Sequence, residues 1–183
     1  MVYLFFATGT EELEALGTAD IIRRAGLDLQ IVSITGERLV TGAHGIRVQC
    51  DAVLQDVDFF DADMLVLPGG MPGATNFADC ADLCERLRDH VYLGRAVGAI
   101  CAAPLVLGRL GLLDGKRATC YPGFEGELMG ATCTGALVEV DGNIVTGKGP
   151  AAVFEFGYAI VELLKDKATA DAIRQGMLWS EVR

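Results

Sequence analysis

Histidine is scarce in this chain of 183 residues, which has two, His44 and His90, together with one tryptophan and five prolines. The six cysteines include no Cys-x-x-Cys pair. Cys80 and Cys84 have a helical spacing, but no histidine lies close enough in sequence to complete a zinc site. No Gly-Lys-Ser/Thr follows any glycine-rich turn, which excludes a phosphate-cradling P-loop. No window reaches the ~18 uninterrupted apolar residues of a membrane span. Internal repeats, low-complexity tracts and Pro/Ser/Gly linkers are missing as well, and the composition excludes disordered, collagen-like and coiled-coil architectures. Positive charge is also in short supply. The 15 Lys and Arg residues against 25 Asp and Glu leave a formal net charge of −10, a field that repels phosphate backbones and anionic lipid surfaces. Neither nucleic acid nor a membrane is therefore expected as a partner. The apolar run Met1–Ala7 has no basic residues before it, and Glu11, Glu12 and Glu14 follow at once, unlike a secretory leader. A cytoplasmic location with reduced thiols is expected.

What is present is an ordinary globular balance, 51% hydrophobic and 22% charged. One domain over residues 1–183 is expected, long enough to bury roughly 70% of its unfolded surface without a disulfide or metal staple. Short apolar runs alternate with longer amphipathic segments. Val2–Phe6, Leu29–Ile34, Asp63–Leu67 and Arg95–Ile100 read as strands covered on both faces. Helices are expected at about 11–25, 79–93, 102–110, 150–164 and 168–178. In the first, Thr8 and Glu11 have capping-box spacing, Leu13, Leu16 and Ile21 form the expected inward stripe, and Gly26 is the C-cap. Residues 36–50 read as a small β excursion, Lys116–Cys120 as a short strand, and 135–146 as a hairpin turning at Asp141-Gly142-Asn143. Strands and helices alternating at this spacing imply an α/β fold, a doubly wound and mostly parallel sheet whose ligands sit at the carboxyl ends of the strands.

Three of those strand ends carry unusual residues. Cys101 stands where an apolar strand passes straight into a helix through Cys101-Ala102-Ala103-Pro104, the layout of a nucleophile elbow. A thiol there would face free N–H groups and a helix N-terminus, which favour a thiolate; the competing reading is an inert buried cysteine. Gly69 and Gly70 allow close backbone approach, so the N–H groups of Gly70 and Ala102 can form an oxyanion hole beside the sulfur. Glu14 is the candidate acid–base partner, although taken alone it reads as a solvated helix residue. If it points into the crevice, burial raises its pKa and lets the carboxyl hydrogen-bond the sulfur and exchange protons with substrate. Glu11 and Glu12 are accounted for by the helix dipole alone. Asp20 and Arg24 form an i,i+4 pair, and Met177 and Trp179 dock the last helix.

Read together, Glu11-Glu12-Leu13-Glu14, Leu65-Val66-Leu67-Pro68-Gly69-Gly70, Ala99-Ile100-Cys101-Ala102-Ala103-Pro104 and Gly149-Pro150 with Phe154-Glu155-Phe156 resemble the ThiJ/PfpI superfamily, most closely its DJ-one branch, from about Val2 to Leu164. The resemblance implies a flavodoxin-like sandwich of the class I glutamine amidotransferase-like type, usually a homodimer. It makes Cys101 the reactive cysteine, Glu14 its carboxyl partner, and Gly70 and Ala102 the backbone donors. Members of the family have been assigned cofactor-independent glyoxalase and deglycase activity, redox sensing through cysteine sulfinate, and chaperone activity. Glyoxalase members often place a His before a Pro after the elbow helix; here that residue is Tyr121, in Cys120-Tyr121-Pro122. A neutral phenol is a poor base at pH 7, which counts against substantial glyoxalase turnover. Ala102 directly after Cys101, and no histidine beyond it, set aside the peptidase and glutaminase readings.

Two functions follow as expectations. One is a cysteine-dependent enzyme of glyoxalase III or deglycase type acting on small 2-oxoaldehydes or their adducts. It would need no cofactor and no metal, with Gly69, Tyr121 and Pro150 as further substrate contacts. The other is a redox-sensing or chaperone-like homodimer that responds through oxidation of Cys101.

Overall fold

The computed structural model describes residues 1–181. In chain order the elements are β1 (Val2–Phe6), α1 (Glu12–Arg24), β2 (Leu29–Ser33), β3 (Leu39–Thr41), β4 (Arg47–Gln49), β5 (Ala52–Val53), β6 (Met64–Leu67), α2 (Gly73–Asp79), α3 (Ala81–Tyr92), β7 (Ala96–Ile100), α4 (Pro104–Arg109), β8 (Arg117–Ala118), β9 (Thr132–Cys133), β10 (Val138–Asp141), β11 (Ile144–Gly147), α5 (Val153–Leu164) and α6 (Lys167–Gly176). Seven strands form one sheet in the order β10-β11-β7-β6-β1-β2-β5, parallel throughout except for the β10–β11 hairpin. The expected doubly wound, mostly parallel α/β sheet is what the chain forms. No helix among the described residues is long and apolar enough to cross a membrane.

The continuous apolar runs are explained by coverage on both faces. Along β1, Val2, Leu4 and Phe6 pack with Ala15, Ala19 and Ile22 of α1 and Phe156 and Ile160 of α5. The alternate residues Tyr3 and Phe5 pack toward Phe77, Leu83, Leu87 and Leu105 on the opposite side. Strand residues alternate between faces, so a strand buried on both sides must be apolar at every position. Phe5 and Phe6 are fully buried, each worth about 1.5–3 kcal/mol relative to exposure.

Helix α1 departs from the expected stripe. Leu13 and Leu16 are 51% and 39% exposed, while Glu12, Glu14, Ala15, Thr18 and Ala19 are buried with Ile21 and Ile22. Small residues make the inner face because α1 crosses α5 closely: a Cβ on Gly157 would lie 2.7 Å from Ile21 Cδ1. The N-cap is Glu11, whose Oε2 accepts the Glu14 N–H at 2.6 Å, in place of the expected Thr8 box. The helix expected from residue 79 is preceded by α2, with extended Cys80 separating α2 from α3. β8 is shorter than expected and pairs with β9 outside the main sheet. At the C-terminus Trp179 stacks on Phe154 at 4.6 Å and donates to Glu155 at 2.7 Å, docking the end of the chain as anticipated.

Candidate active site

The carboxyl ends of β1, β6 and β7 lie side by side in the sheet, so the turns that follow them meet. Each supplies one part of the site.

From β7 the chain enters Cys101 at φ +65°, a left-handed conformation adopted by only one other non-glycine residue among those described. Such a backbone costs of order 1–3 kcal/mol unless its surroundings impose it. Here they do. The Cys101 N–H donates to Gly147 O at 2.8 Å, and its carbonyl accepts the Tyr121 N–H at 2.8 Å. Buried Ala102 and Ala103 complete the turn, and Pro104 opens α4. The expected elbow is therefore present, with a thiol that is 8% exposed.

From β1, the N-terminus of α1 delivers Glu14, which is fully buried. Its Oε2 accepts the Gly69 N–H at 2.8 Å, while the Glu11 N–H donates to Gly69 O at 2.9 Å. The first turn of α1 is thereby clamped to the loop after β6. The other oxygen, Oε1, is buried with no hydrogen-bond partner, and the carboxyl lies beside the Cys101 thiol across Gly69. The Gly70 and Ala102 N–H groups lie near enough to the sulfur to favour negative charge on it.

The two glycines are required by contact. A Cβ on Gly69 would lie 2.6 Å from Cys101 Cβ and 2.7 Å from Glu14 Oε2. Gly70 has φ +87°, and a Cβ there would collide with the Glu11 backbone nitrogen.

The electrostatics correct one expectation. Burial is the main influence on Cys101 and pushes the thiol up to about 12, with the Glu14 charge and hydrogen bond adding to it; the Gly70 and Ala102 N–H groups act in the opposite direction without prevailing. α4 is six residues long and begins three residues after the sulfur, so its dipole is a weak counterweight. The resting group is a thiol, not the expected thiolate. Burial likewise lifts Glu14 to about 7, against lowering by its bonds to the Cys101 thiol and the Gly69 N–H; the Glu11 charge adds a smaller rise. The carboxyl is thus poised to accept or return a proton near neutrality, with its natural donor beside it.

Tyr121 and Pro150 are brought together. The Tyr121 ring is 46% exposed and would meet a Cβ on Gly149 at 3.1 Å. With Leu137 and Lys148 the pair lines a mainly apolar depression of about 190 Å³. Cys101 does not line this hollow; the Tyr121 N–H bond to the Cys101 carbonyl ties the two together.

Sequence reasoning missed the work of Glu12. It is buried, accepts the His44 and Ile46 N–H groups at 2.8 and 3.2 Å and meets His44 Nδ1 at 2.8 Å, pinning the β3–β4 hairpin against α1. The signal available was an acidic residue next to a glycine-flanked excursion. Burial works against the Glu12 carboxyl, yet these bonds hold it below the ordinary range. Glu11, Glu12 and His44 are the one trio among the described residues whose ligand atoms cluster tightly enough for a metal, but Glu12 is already committed to the hairpin. His90 is buried with its ring against Ala96 O at 2.9 Å, away from the crevice.

The chain is thus a doubly wound sandwich in which a strained cysteine elbow and a buried carboxyl meet at the carboxyl ends of the strands. The DJ-1/PfpI family model matches residues 1–163, and the chain belongs to that family. It is 39% identical over 181 residues to Protein DJ-1 homolog A of Arabidopsis thaliana, covering 97% of this chain and 46% of the relative, so it spans just under half of that protein's length. It is 34% identical over 157 residues to the Glutathione-independent glyoxalase DJR-1.2 of Caenorhabditis elegans, covering 85% of this chain and 83% of the relative. Among solved structures, oxidized Toxoplasma gondii DJ-1 superposes with a TM-score of 0.90 at 34% identity over 97% of both chains.

Proposed function

We propose that the protein is a cysteine-dependent, cofactor-independent carbonyl-processing enzyme of glyoxalase III or deglycase type, acting on small 2-oxoaldehydes or their adducts. The observation that carries this reading is the buried Glu14 carboxyl, raised to about 7, facing the Cys101 thiol. A relative named as a glutathione-independent glyoxalase supports it.

With methylglyoxal the steps balance as follows. Glu14 carboxylate takes the thiol proton as the sulfur attacks the aldehyde carbon, and the new oxyanion rests on the Gly70 and Ala102 N–H groups until it is protonated from Glu14. Glu14, again a carboxylate, removes the proton from carbon one of this hemithioacetal and returns it to carbon two, while the proton of the carbon-one hydroxyl passes to the oxygen on carbon two, leaving the thioester of lactate. Water releases lactate and restores the thiol, with Glu14 again taking and returning the proton. Tyr121, whose N–H holds the Cys101 carbonyl, offers an exposed phenol to the ketone oxygen, in the position where glyoxalase members of the family often carry a histidine.

The test is lactate formation from methylglyoxal by metal-free protein. Cys101→Ser and Glu14→Gln should each abolish it, and activity surviving both removes the mechanism.

A second reading rests on the same donors. The Gly70 and Ala102 N–H groups and a protonated Glu14 would hold the oxygens of a Cys101 sulfinate, making oxidation at this sulfur a signal. The proposal includes a homodimer in the cytoplasm, for which exposed Leu13 and Leu16, beside the Asp20–Arg24 pair on α1, offer an apolar face.

A further inference from the structure

A second meeting of thiols lies outside the elbow. Cys120 follows β8 by two residues, and Cys133 closes β9. The two strands are parallel with Ala118 opposite Cys133, and the Thr134 N–H donates to Ala118 O at 2.9 Å, so the ladder draws together cysteines separated by a loop. The ladder leaves Cys120 close enough to Cys133 for the two thiols to bear on one another. Cys120 is buried while Cys133 is exposed, one sulfur open to solvent and the other sheltered behind it. Burial is the main influence on Cys120 and pushes its thiol up to about 12, so it reacts from the protonated form; the Lys148 ammonium, anchored on Gly135 O at 3.0 Å, pulls the other way without prevailing. Cys84 offers a contrast. It too has a cysteine neighbour, Cys80, but its thiol is committed to the Phe77 and Ala78 carbonyls at 3.6 and 3.3 Å.

We propose that Cys120 and Cys133 form a redox pair that closes to an intramolecular disulfide when peroxide oxidises the exposed Cys133. In the first step the Cys133 sulfur attacks one peroxide oxygen, the O–O bond breaks, and a sulfenic acid forms as the other oxygen leaves as water. The Cys120 sulfur then attacks the sulfenic sulfur and expels hydroxide, which takes up the Cys120 proton as water. Two thiols lose two electrons and one peroxide becomes two waters. Proximity across the β8–β9 ladder supplies the high effective concentration that the sheltered thiol needs to react.

The crosslink has a direct route to the elbow. Cys120 precedes Tyr121, whose N–H holds the Cys101 carbonyl, and Lys148 and Tyr121 line the same hollow. Closing the pair ties the segment that buttresses Cys101 to β9. This inference does not depend on the enzymatic reading, since neither sulfur belongs to that mechanism.

The experiment uses the full chain carrying Cys101→Ser, which removes the elbow sulfur as a competing target, beside the wild type. Each is treated with stoichiometric hydrogen peroxide, alkylated with iodoacetamide and cleaved by a Glu-specific protease. Glu125 and Glu127 lie between the two cysteines, so cleavage separates them unless a disulfide holds the pieces together. The expected product in both proteins is a linked pair of peptides, lighter than their sum by two hydrogens and released by dithiothreitol. Alkylation at Cys120 and Cys133 should be lost together. Cys133→Ser, a change at an exposed position, should abolish the linked product. Oxygen added to Cys133 while Cys120 stays unlinked would overturn the proposal. So would Cys133-to-Cys133 dimers as the main product, or a linked Cys120 peptide that persists in Cys133→Ser.

Discussion

Replacing Glu14 by glutamine should change how the stability of the fold depends on pH, by an amount the structure sets. Burial raises the carboxyl from its ordinary 4.5 to about 7. Between those values the folded chain holds a proton that the unfolded chain releases. The stability contributed by this group is therefore greatest in acid, declines as pH rises through that window, and is level above it. At about 1.4 kcal/mol per pH unit, the decline across the window comes to roughly 3 kcal/mol. The Cys101 thiol, pushed up to about 12, stays protonated throughout and adds no charge of its own. Glutamine is nearly isosteric and does not titrate, and its carbonyl oxygen keeps the Gly69 N–H bond. Urea unfolding of both proteins at a series of values from about pH 5 to about pH 8 gives the difference in stability at each. Relative to wild type, Glu14→Gln should gain stability steadily over the window, approaching about 3 kcal/mol, and then level off. A difference that stays constant with pH would mean that Glu14 titrates as an exposed carboxylate, and the desolvation argument would fail.

Two further substitutions test other parts of the account. In Gly69→Ala the new methyl would lie 2.6 Å from Cys101 Cβ and 2.9 Å from Ile100 O, neither able to swing aside. Displacement on the order of 1 Å should cost roughly 100-fold in turnover, with about 1–3 kcal/mol of stability, and wild-type lactate production would contradict it. Gly98→Ala serves as the control: it crowds Met64 and Phe156 in the core at 2.9 and 3.1 Å, and should lower the unfolding midpoint while leaving kcat/KM near wild type. Leu13→Asp, on the exposed face of α1, should shift sedimentation from dimer to monomer with the midpoint of unfolding little changed; an unaltered sedimentation profile would place any dimer contact elsewhere.

The parts of this molecule legible in the sequence are those dictated locally. Buried parallel strands must be apolar at every position, so β1, β6 and β7 stand out. The Asp141-Gly142-Asn143 turn announces its hairpin, with Gly142 at φ +62°. The elbow and the Gly69-Gly70 pair were legible because each has a backbone reason to stand where it does, whereas Glu14, between Leu13 and Ala15 on a helix, was legible only beside the other motifs. What stayed hidden depends on distant partners. The inner face of α1 is built from small residues and two glutamates because α5 lies close and the β3–β4 hairpin needs Glu12 for its amides. Leu13 and Leu16 therefore face outward, although their spacing alone suggests a core stripe. The state of the Cys101 proton was misread for a related reason. A strand-end position next to a helix argues for a thiolate, whereas the burial that outweighs it comes from packing. The short β9, and with it the meeting of Cys120 and Cys133, has no local signature at all.

The claim on which the enzymatic account rests is that Glu14 relieves Cys101 of its proton, and the rate of iodoacetamide alkylation at Cys101 as a function of pH tests it most directly. Followed at the level of the single peptide, the wild-type rate should rise through a step near pH 7, where the Glu14 carboxyl ionises, far below the thiol's own ionisation. Glu14→Gln should lose that step and react only as the solution becomes strongly alkaline. Superimposable profiles for the two proteins would contradict the account.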